Sequence, residues 1–218
     1  MGCKNRDNRV LISILFKKNK LCLPLLQILP MGLSIHYSGK IRNKSLIKEL
    51  VSETADICKS LNWTFQIIKK PNKDNLRGIC FSPEGSEPIF LTFLSNGRNC
   101  SPVNLMNRDI YESNGLDKEL MYTTSTKTQY AGPDAHIAII KLLRYFDRKY
   151  FKKFDLDDEG MFWETNDENK LLKQFARYEF ALNTVTDALC NMNGIPGETL
   201  ESLSDRIESL LKKKLKGI

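Results

Sequence analysis

Histidine is scarce in this chain, and the motifs that most often identify a reaction are missing. The 218 residues include two histidines, and no HExxH or HxH spacing arranges them as a metal-binding pair. No serine stands in a GxSxG turn, and there is no glycine-rich phosphate loop or dinucleotide fingerprint. The sequence therefore identifies no reaction by motif, and it predicts no cofactor and no metal site.

The cysteines also lack a functional spacing. None of the six forms a CxxC pair or lies near a histidine at metal-ligand spacing. Scattered cysteines in a chain of this length are typical of free thiols in a reducing compartment.

No apolar run in the sequence is long enough to cross a membrane. Val10–Phe16 and Leu21–Leu29 are separated by four polar and basic residues, and a spanning helix needs about 20 apolar residues. Met31 is followed directly by the alternating segment Leu33–Tyr37. We expect Met31 to be the natural start and residues 1–30 to be a non-native or disordered extension; the alternative is a basic anchor on a membrane surface.

The net charge of +7 is concentrated at the N-terminus. Residues 1–30 hold six basic residues and one acidic residue, a net of +5, and residues 31–218 hold 27 basic and 25 acidic residues, a net of +2. Overall charge therefore gives no support to a nucleic-acid-binding body.

Hydrophobic periodicity predicts an α+β fold. Alternating or β-branched segments indicate strands in residues 31–130, and Asn96-Gly97 predicts a hairpin in which Arg98–Val103 pairs with Ile89–Leu94. Short connections between strands favour a mostly antiparallel sheet, with one early helix after the first strand. We expect residues 31–218 to form a single domain, with a sheet portion at 31–130 and a helical portion at 131–218.

Three helices are expected in the helical portion. The first follows Gly132-Pro133, the acidic segment Asp155–Gly160 is expected to be a loop, and Thr165 opens a second helix as a capping box with Glu168. From Leu171 onward, apolar residues of that helix follow one another at alternating intervals of four and three residues, which is typical of a packed helical seam. We expect the second and third helices to form an antiparallel hairpin.

The two histidines are the first candidates for chemistry. His36 lies on an alternating strand, opposite in facing to its buried neighbours, and His136 lies in the first turn of a helix, where the dipole favours neutral imidazole. A functional arrangement would bring His36, His136 and Asp134 together on a metal or a water. A nearby acid would complete it, and the candidates are Asp157, Asp158, Glu159 and Glu164. The alternative is a helix cap at Asp134 and two unrelated structural histidines.

A second group of residues is a candidate for binding. Lys127, Gln129 and Tyr130 precede a helix N-terminus that favours a phosphate or carboxylate, and Arg144 lies on the polar face of that helix. The alternative for these residues is an ordinary strand and helix cap.

Several segments resemble a family of small bacterial proteins with no assigned activity. The similar segments are Ile35-His36-Tyr37, Leu76–Ile79, Glu87-Pro88, Thr126–Tyr130, Ala135-His136, Lys141–Tyr145, Asp158-Glu159-Gly160 and Trp163-Glu164-Thr165. The resemblance implies a bacterial, cytoplasmic protein that starts at Met31, and it carries no residue roles.

Three functions remain open from the sequence. The first is a binding or regulatory protein that contacts a protein partner, or a second copy of itself, through the helical hairpin. The second is a small hydrolase or metal-dependent enzyme that uses His36 and His136 with nearby carboxylates. The third, nucleic-acid binding, requires one positive face built from several basic residues: Lys127, Lys141, Arg144, Arg148, Lys149, Lys152 and Lys153. Neither nucleic acid nor a membrane is the expected partner.

Overall fold

Two three-stranded antiparallel sheets and six α-helices, counted over the residues that the structure describes, confirm the predicted α+β class. The computed structural model describes residues 32–69, 75–109, 118–191, 195 and 197–215; the expectation for residues 1–30 lies outside them. The strands are β1 Ser34–Ile41, β2 Thr64–Lys69, β3 Arg77–Ser82, β4 Ile89–Phe93, β5 Thr124–Lys127 and β6 Phe151–Asp158. The helices are α1 Ile47–Ser60, α2 Pro102–Met106, α3 Gly132–Tyr150, α4 Phe162–Thr165, α5 Glu168–Cys190 and α6 Leu200–Leu215.

The first sheet has the order β5–β1–β6, with β1 in the centre. In β1, Ile35 and Tyr37 are buried and His36 is half-buried on the opposite face, as the alternation predicts. The register pairs His36 with Ser125 on one side and with Asp157 on the other. This sheet therefore has one core face and one polar face that includes His36.

The second sheet has the order β2–β3–β4. The predicted turn at Asn96-Gly97 is present, with Gly97 at φ +80° and the Arg98 amide donating to Asn96 Oδ1 over 2.9 Å. After the turn, the chain pairs back as far as Cys100, since the Leu94 and Cys100 amides donate to Arg98 O and Thr92 O over 3.0 and 2.9 Å on either side of a bridge between Phe93 and Asn99. The rest of the predicted return strand, to Val103, is wrong. The chain instead enters α2, because Ser101 accepts the Asn104 amide and Pro102 is preset for a first helical position.

The acidic segment Asp155–Gly160 is not a loop, since residues 155–158 complete β6. Asp155 and Asp157 point outward, while Phe154 and Leu156 pack against the core. The segment forms a strand because its backbone pairs with β1 from Ile35 to Ile41. Its own sequence does not indicate this pairing. The portion of the chain expected to be helical therefore contains a strand between its first two long helices.

The two sheets are joined by backbone and side-chain hydrogen bonds. The amides of Ile41 and Asn99 donate to Gly97 and Gly39 oxygens over 3.0 and 2.8 Å. Nearer the middle, the buried Tyr37 hydroxyl accepts from the Phe90 amide over 2.8 Å and donates to its oxygen over 3.2 Å. Burial raises the pKa of Tyr37, so this hydroxyl stays a donor.

Polar contacts join α1 to α3. Glu53 accepts from Tyr145 over 2.6 Å and from Lys149 over 3.1 Å, and it also contacts the Tyr150 hydroxyl. Burial alone would raise the pKa of Glu53, but these hydrogen bonds hold it below its usual value. The carboxylate therefore bridges the two helices in its charged form.

The start of α5 differs from the predicted capping box. Asp167 Oδ1 accepts the amides of Asn169 and Lys170 over 2.9 and 3.2 Å, while Thr165 donates back to Met161 O over 2.6 Å. The cap is thus Asp167, because Asn166 turns the chain with φ +52° after α4.

Contacts divide the chain into two bodies, Gly32–Ala176 and a second that includes Arg177 onward. In the second body, Arg206 donates to Glu198 over 2.7 Å across the start of α6. The turn of the expected helical hairpin falls partly on residues 192–194 and 196, outside the described residues, so the hairpin stays a prediction. Within the described ranges, no helix combines the length and apolarity needed to span a bilayer.

Candidate functional site

The two histidines belong to separate clusters on opposite faces of the first sheet. His36 faces the polar side, where its neighbours are Ser125 and Glu159. His136 is completely buried on the core side beside Asp158. The consecutive residues Asp158 and Glu159 thus send their carboxylates to opposite faces, one to each histidine.

The His136 cluster is sealed from solvent. Its Nδ1 lies 2.7 Å from Thr128 Oγ1, and its Nε2 lies 3.0 Å from Asp158 Oδ1, although without the alignment of a hydrogen bond. Phe175 packs edge-on against the ring, with centroids 5.9 Å apart. The imidazole and the carboxylate therefore lie in contact in a site closed to water.

The Thr128 hydroxyl donates to Leu33 O over 3.2 Å and lies 2.7 Å from His136 Nδ1. Together with the Asp158 carboxylate beside Nε2, these contacts hold the buried ring in place.

Asp158 organises the turn that follows β6. One carboxylate oxygen accepts the Gly160 amide over 2.8 Å, and the other accepts the amides of Phe162 and Trp163 over 2.8 and 2.9 Å. Burial would raise the pKa of Asp158, but His136 and these amides hold it below its usual value. Added at Gly160, a Cβ would lie 2.9 Å from His136 Nε2, so the turn closes tightly over the pair.

On the polar face, His36 lies between a hydroxyl and a carboxylate. Its Nδ1 is 2.7 Å from Ser125 Oγ, and its Nε2 is 3.6 Å from Glu159 Oε1, an electrostatic contact longer than a hydrogen bond. The His36 and Glu159 side chains are 35% and 39% exposed. Both therefore remain open to a ligand from solvent.

The position of the Glu159 carboxylate favours one tautomer of His36. A carboxylate beside Nε2 favours a proton on that nitrogen, which leaves Nδ1 as the acceptor for the Ser125 hydroxyl. Glu159 is itself oriented, because its Oε2 accepts the Ser34 amide over 2.7 Å. A hydroxyl, an imidazole and a carboxylate are thus arranged in one chain of contacts, from Ser125 through His36 to Glu159.

The structure brings only two of the four predicted catalytic residues together, namely His36 and Glu159. Asp134 is exposed in the first turn of α3, and residues two apart on a helix do not face each other, so it stands apart from His136. Ser125 was missed in the sequence, where nothing separates it from the other hydroxyl residues of β5. Only the pairing of β5 with β1 places it opposite His36.

The four predicted binding residues do not form one site. Gln129 Oε1 accepts the Leu33 amide over 3.0 Å, and Tyr130 is 64% exposed. Arg144 donates to Asn166 Oδ1 over 2.9 Å and to Trp163 O over 2.8 Å, which ties α3 to the end of α4. Lys127 is exposed two residues after Ser125 on β5, and so shares its face.

In the part of the chain that the structure describes, no three histidine, cysteine or acidic side chains are arranged to hold a metal ion. No family model, no curated protein and no solved structure matches this chain. The resemblance to a bacterial family therefore stays a prediction.

Proposed function

We propose that this chain hydrolyses an ester or thioester, with Ser125 as nucleophile, His36 as general base and Glu159 as the residue that orients His36. The observation that carries the proposal is the 2.7 Å contact between Ser125 Oγ and His36 Nδ1, with Glu159 on the other ring nitrogen. A base that is itself held by a third group is the arrangement that activates a hydroxyl nucleophile.

In the proposed reaction, Ser125 Oγ attacks the substrate carbonyl carbon and its proton passes to His36 Nδ1. The imidazolium is stabilised by the Glu159 carboxylate beside Nε2–H. The tetrahedral intermediate then expels the alcohol or thiol, which takes the proton from Nδ1. Water attacks the acyl-serine, gives a proton to Nδ1, and releases the carboxylic acid while the serine recovers its hydrogen.

The position of the site indicates the class of substrate. The site lies on the solvent-facing side of a sheet, so water reaches the acyl-serine, which favours hydrolysis over transfer to another acceptor. The ammonium of Lys127 on the same face favours an anionic substrate. We therefore propose a small acyl ester or thioester that carries a negative charge.

His136, which the sequence also suggested as a catalytic residue, has a different part in this proposal. With Asp158 it fixes the turn at the end of β6, and that turn determines where Glu159 stands. It is a positioning residue, because its ring contacts no solvent-accessible group of the site.

The test uses hydrolysis of p-nitrophenyl acetate together with the mass of the intact protein. We expect Ser125→Ala to reduce the enzymatic rate to background and to abolish acetyl labelling at residue 125. His36→Gln should lower kcat by about 100-fold, the contribution typical of a general base. Glu159→Gln should lower kcat about tenfold with KM unchanged, because it acts on the base and not on the substrate.

Ser38→Ala is the matched control, since Ser38 lies on the same face of β1 two residues from His36 and takes no part in the contacts. It should keep the full rate. A rate that survives in Ser125→Ala, or an acetyl group found only elsewhere, would contradict the proposal.

Nucleic-acid binding receives little support from the same structure. Lys149 pairs with Glu49 and Glu53 at 3.3 and 3.1 Å, and Lys153 pairs with Asp155 at 2.9 Å. Acidic partners beside these cations weaken the positive field that such a face needs.

A further inference from the structure

The outer strands of the two sheets differ in how far other groups cover their free backbone edge. The outer edge of β5 is covered, because the Glu87 amide donates to Lys127 O over 2.9 Å and Glu87 Oε2 accepts the Lys127 amide over 3.0 Å. The outer edge of β4 is covered by the Tyr37 hydroxyl and by the Asn99 side chain, both bonded to Phe90. The outward backbone groups of Lys127 and Phe90 are therefore already bonded within the chain.

The outer edge of β6 is protected by charge. Its exposed side chains are charged: Lys152, Lys153, Asp155 and Asp157. Charged residues on an edge strand oppose pairing with another chain, because their burial would remove them from water.

Strand β2 shows no such protection from any residue that the structure describes. Phe65 and Ile67 are 36% and 45% exposed, and Leu61 at the end of α1 adds a third apolar side chain that is 49% exposed. Among the described residues, the β2 ladder is made with β3 alone. An edge strand with apolar side chains and unpaired backbone groups is suited to accept a further strand.

We propose that β2 pairs antiparallel with β2 of a second copy of this chain, joining the two second sheets into one six-stranded sheet. The two-fold axis passes through Gln66, so that Phe65 of each copy lies opposite Ile67 of the other. Strand alternation puts both side chains on one face, and aromatic residues opposite β-branched residues are favourable cross-strand pairs.

The charges of β2 argue for a copy of itself as the occupant. Its one charged residue is Lys69, at the C-terminal end. Antiparallel pairing about Gln66 places the two Lys69 residues six positions apart along the strand direction, about 20 Å. That exceeds the screening length of about 8 Å in physiological salt, so the pairing carries no like-charge penalty. The two-fold contact also closes on itself and gives a dimer.

Sedimentation of the full chain tests this dimer. From about 10 μM to about 1 mM, we expect a reversible shift from monomer to dimer. Ile67→Lys should keep the chain monomeric, because it places a charge opposite Phe65 of the other copy. Val103→Lys is the control, since Val103 is a β-branched residue that is 56% exposed on α2, and this variant should dimerise normally.

A cross-link tests the register. In Gln66→Cys the two introduced thiols stand opposite each other, and mild oxidation should join residue 66 to residue 66, as mass spectrometry of the peptides would show. In Thr64→Cys the corresponding thiols are far apart and no such bond should form. A chain that stays monomeric at the highest concentration, or a dimer that Ile67→Lys leaves intact, overturns the proposal. Dimerisation does not depend on hydrolysis, so the Ser125→Ala variant should dimerise normally.

Discussion

At the scale of single residues, Asp158 links the buried cluster to stability. Its pKa is lowered in the folded chain because His136 and three backbone amides outweigh the effect of burial. A group whose folded pKa is depressed stabilises the fold above its unfolded pKa and loses that contribution as pH falls through the folded value. The free energy of unfolding should therefore decrease below about pH 4.

We expect Asp158→Asn to lower the free energy of unfolding by about 3 kcal/mol at pH 7, because the buried His136 ring loses the carboxylate beside it and an amide NH2 now faces backbone donors. Urea denaturation at pH 7 and at pH 3 checks this, and the difference from wild type should shrink at the lower pH. Asp134→Asn, an exposed carboxylate, should change stability by less than about 0.5 kcal/mol. A difference that is the same at both pH values would contradict this account.

At the scale of elements, β3 tolerates no side chain at Gly78. This residue has φ +149°, and a Cβ there would lie 2.0 Å from Leu91 O in β4. We expect Gly78→Ala to cost about 3 kcal/mol, as backbone strain and overpacking add. Chemical denaturation measures the loss.

The variant Gly132→Ala separates the effect of backbone strain from the effect of overpacking. Gly132 also has positive φ, at +85°, but no atom lies within 4 Å of the added Cβ. It should cost only about 1 kcal/mol. Equal losses in the two variants would show that close packing against β4 plays no part.

The elements also show what sequence periodicity can and cannot predict. Strand β1 was predicted because its apolar residues recur at every second position, and helix α3 because its apolar residues recur at every third or fourth position. Strand β6 was not, because its acidic residues resemble a loop and its partner β1 is over 100 positions earlier in the chain. Ser125 was missed for the same reason: a register between distant strands cannot be read from local pattern.

At the scale of the whole body from Gly32 to Ala176, Tyr37 contributes to holding the two sheets together. Its hydroxyl satisfies both backbone groups of Phe90. We expect Tyr37→Phe to cost about 2 kcal/mol, because one donor and one acceptor lose their partner. Thermal unfolding gives the stability, and hydrogen exchange at the Phe90 amide should accelerate.

Tyr145→Phe is the matched control for this prediction. Its hydroxyl bonds to Glu53 at the surface, and the side chain is 43% exposed, so the loss should be below about 1 kcal/mol. If Tyr37→Phe left exchange at Phe90 unchanged, the hydroxyl would not be what protects that amide.

Because Asp158 and Glu159 point to opposite faces of the sheet, both clusters depend on the number of residues in β6 as much as on which residues they are. Removing or inserting one residue between Phe151 and Asp158 would exchange the two faces from that point onward. The shorter carboxylate would then point to solvent and the longer one into the core, toward His136. Both clusters would be lost together, although neither of their side chains had been substituted.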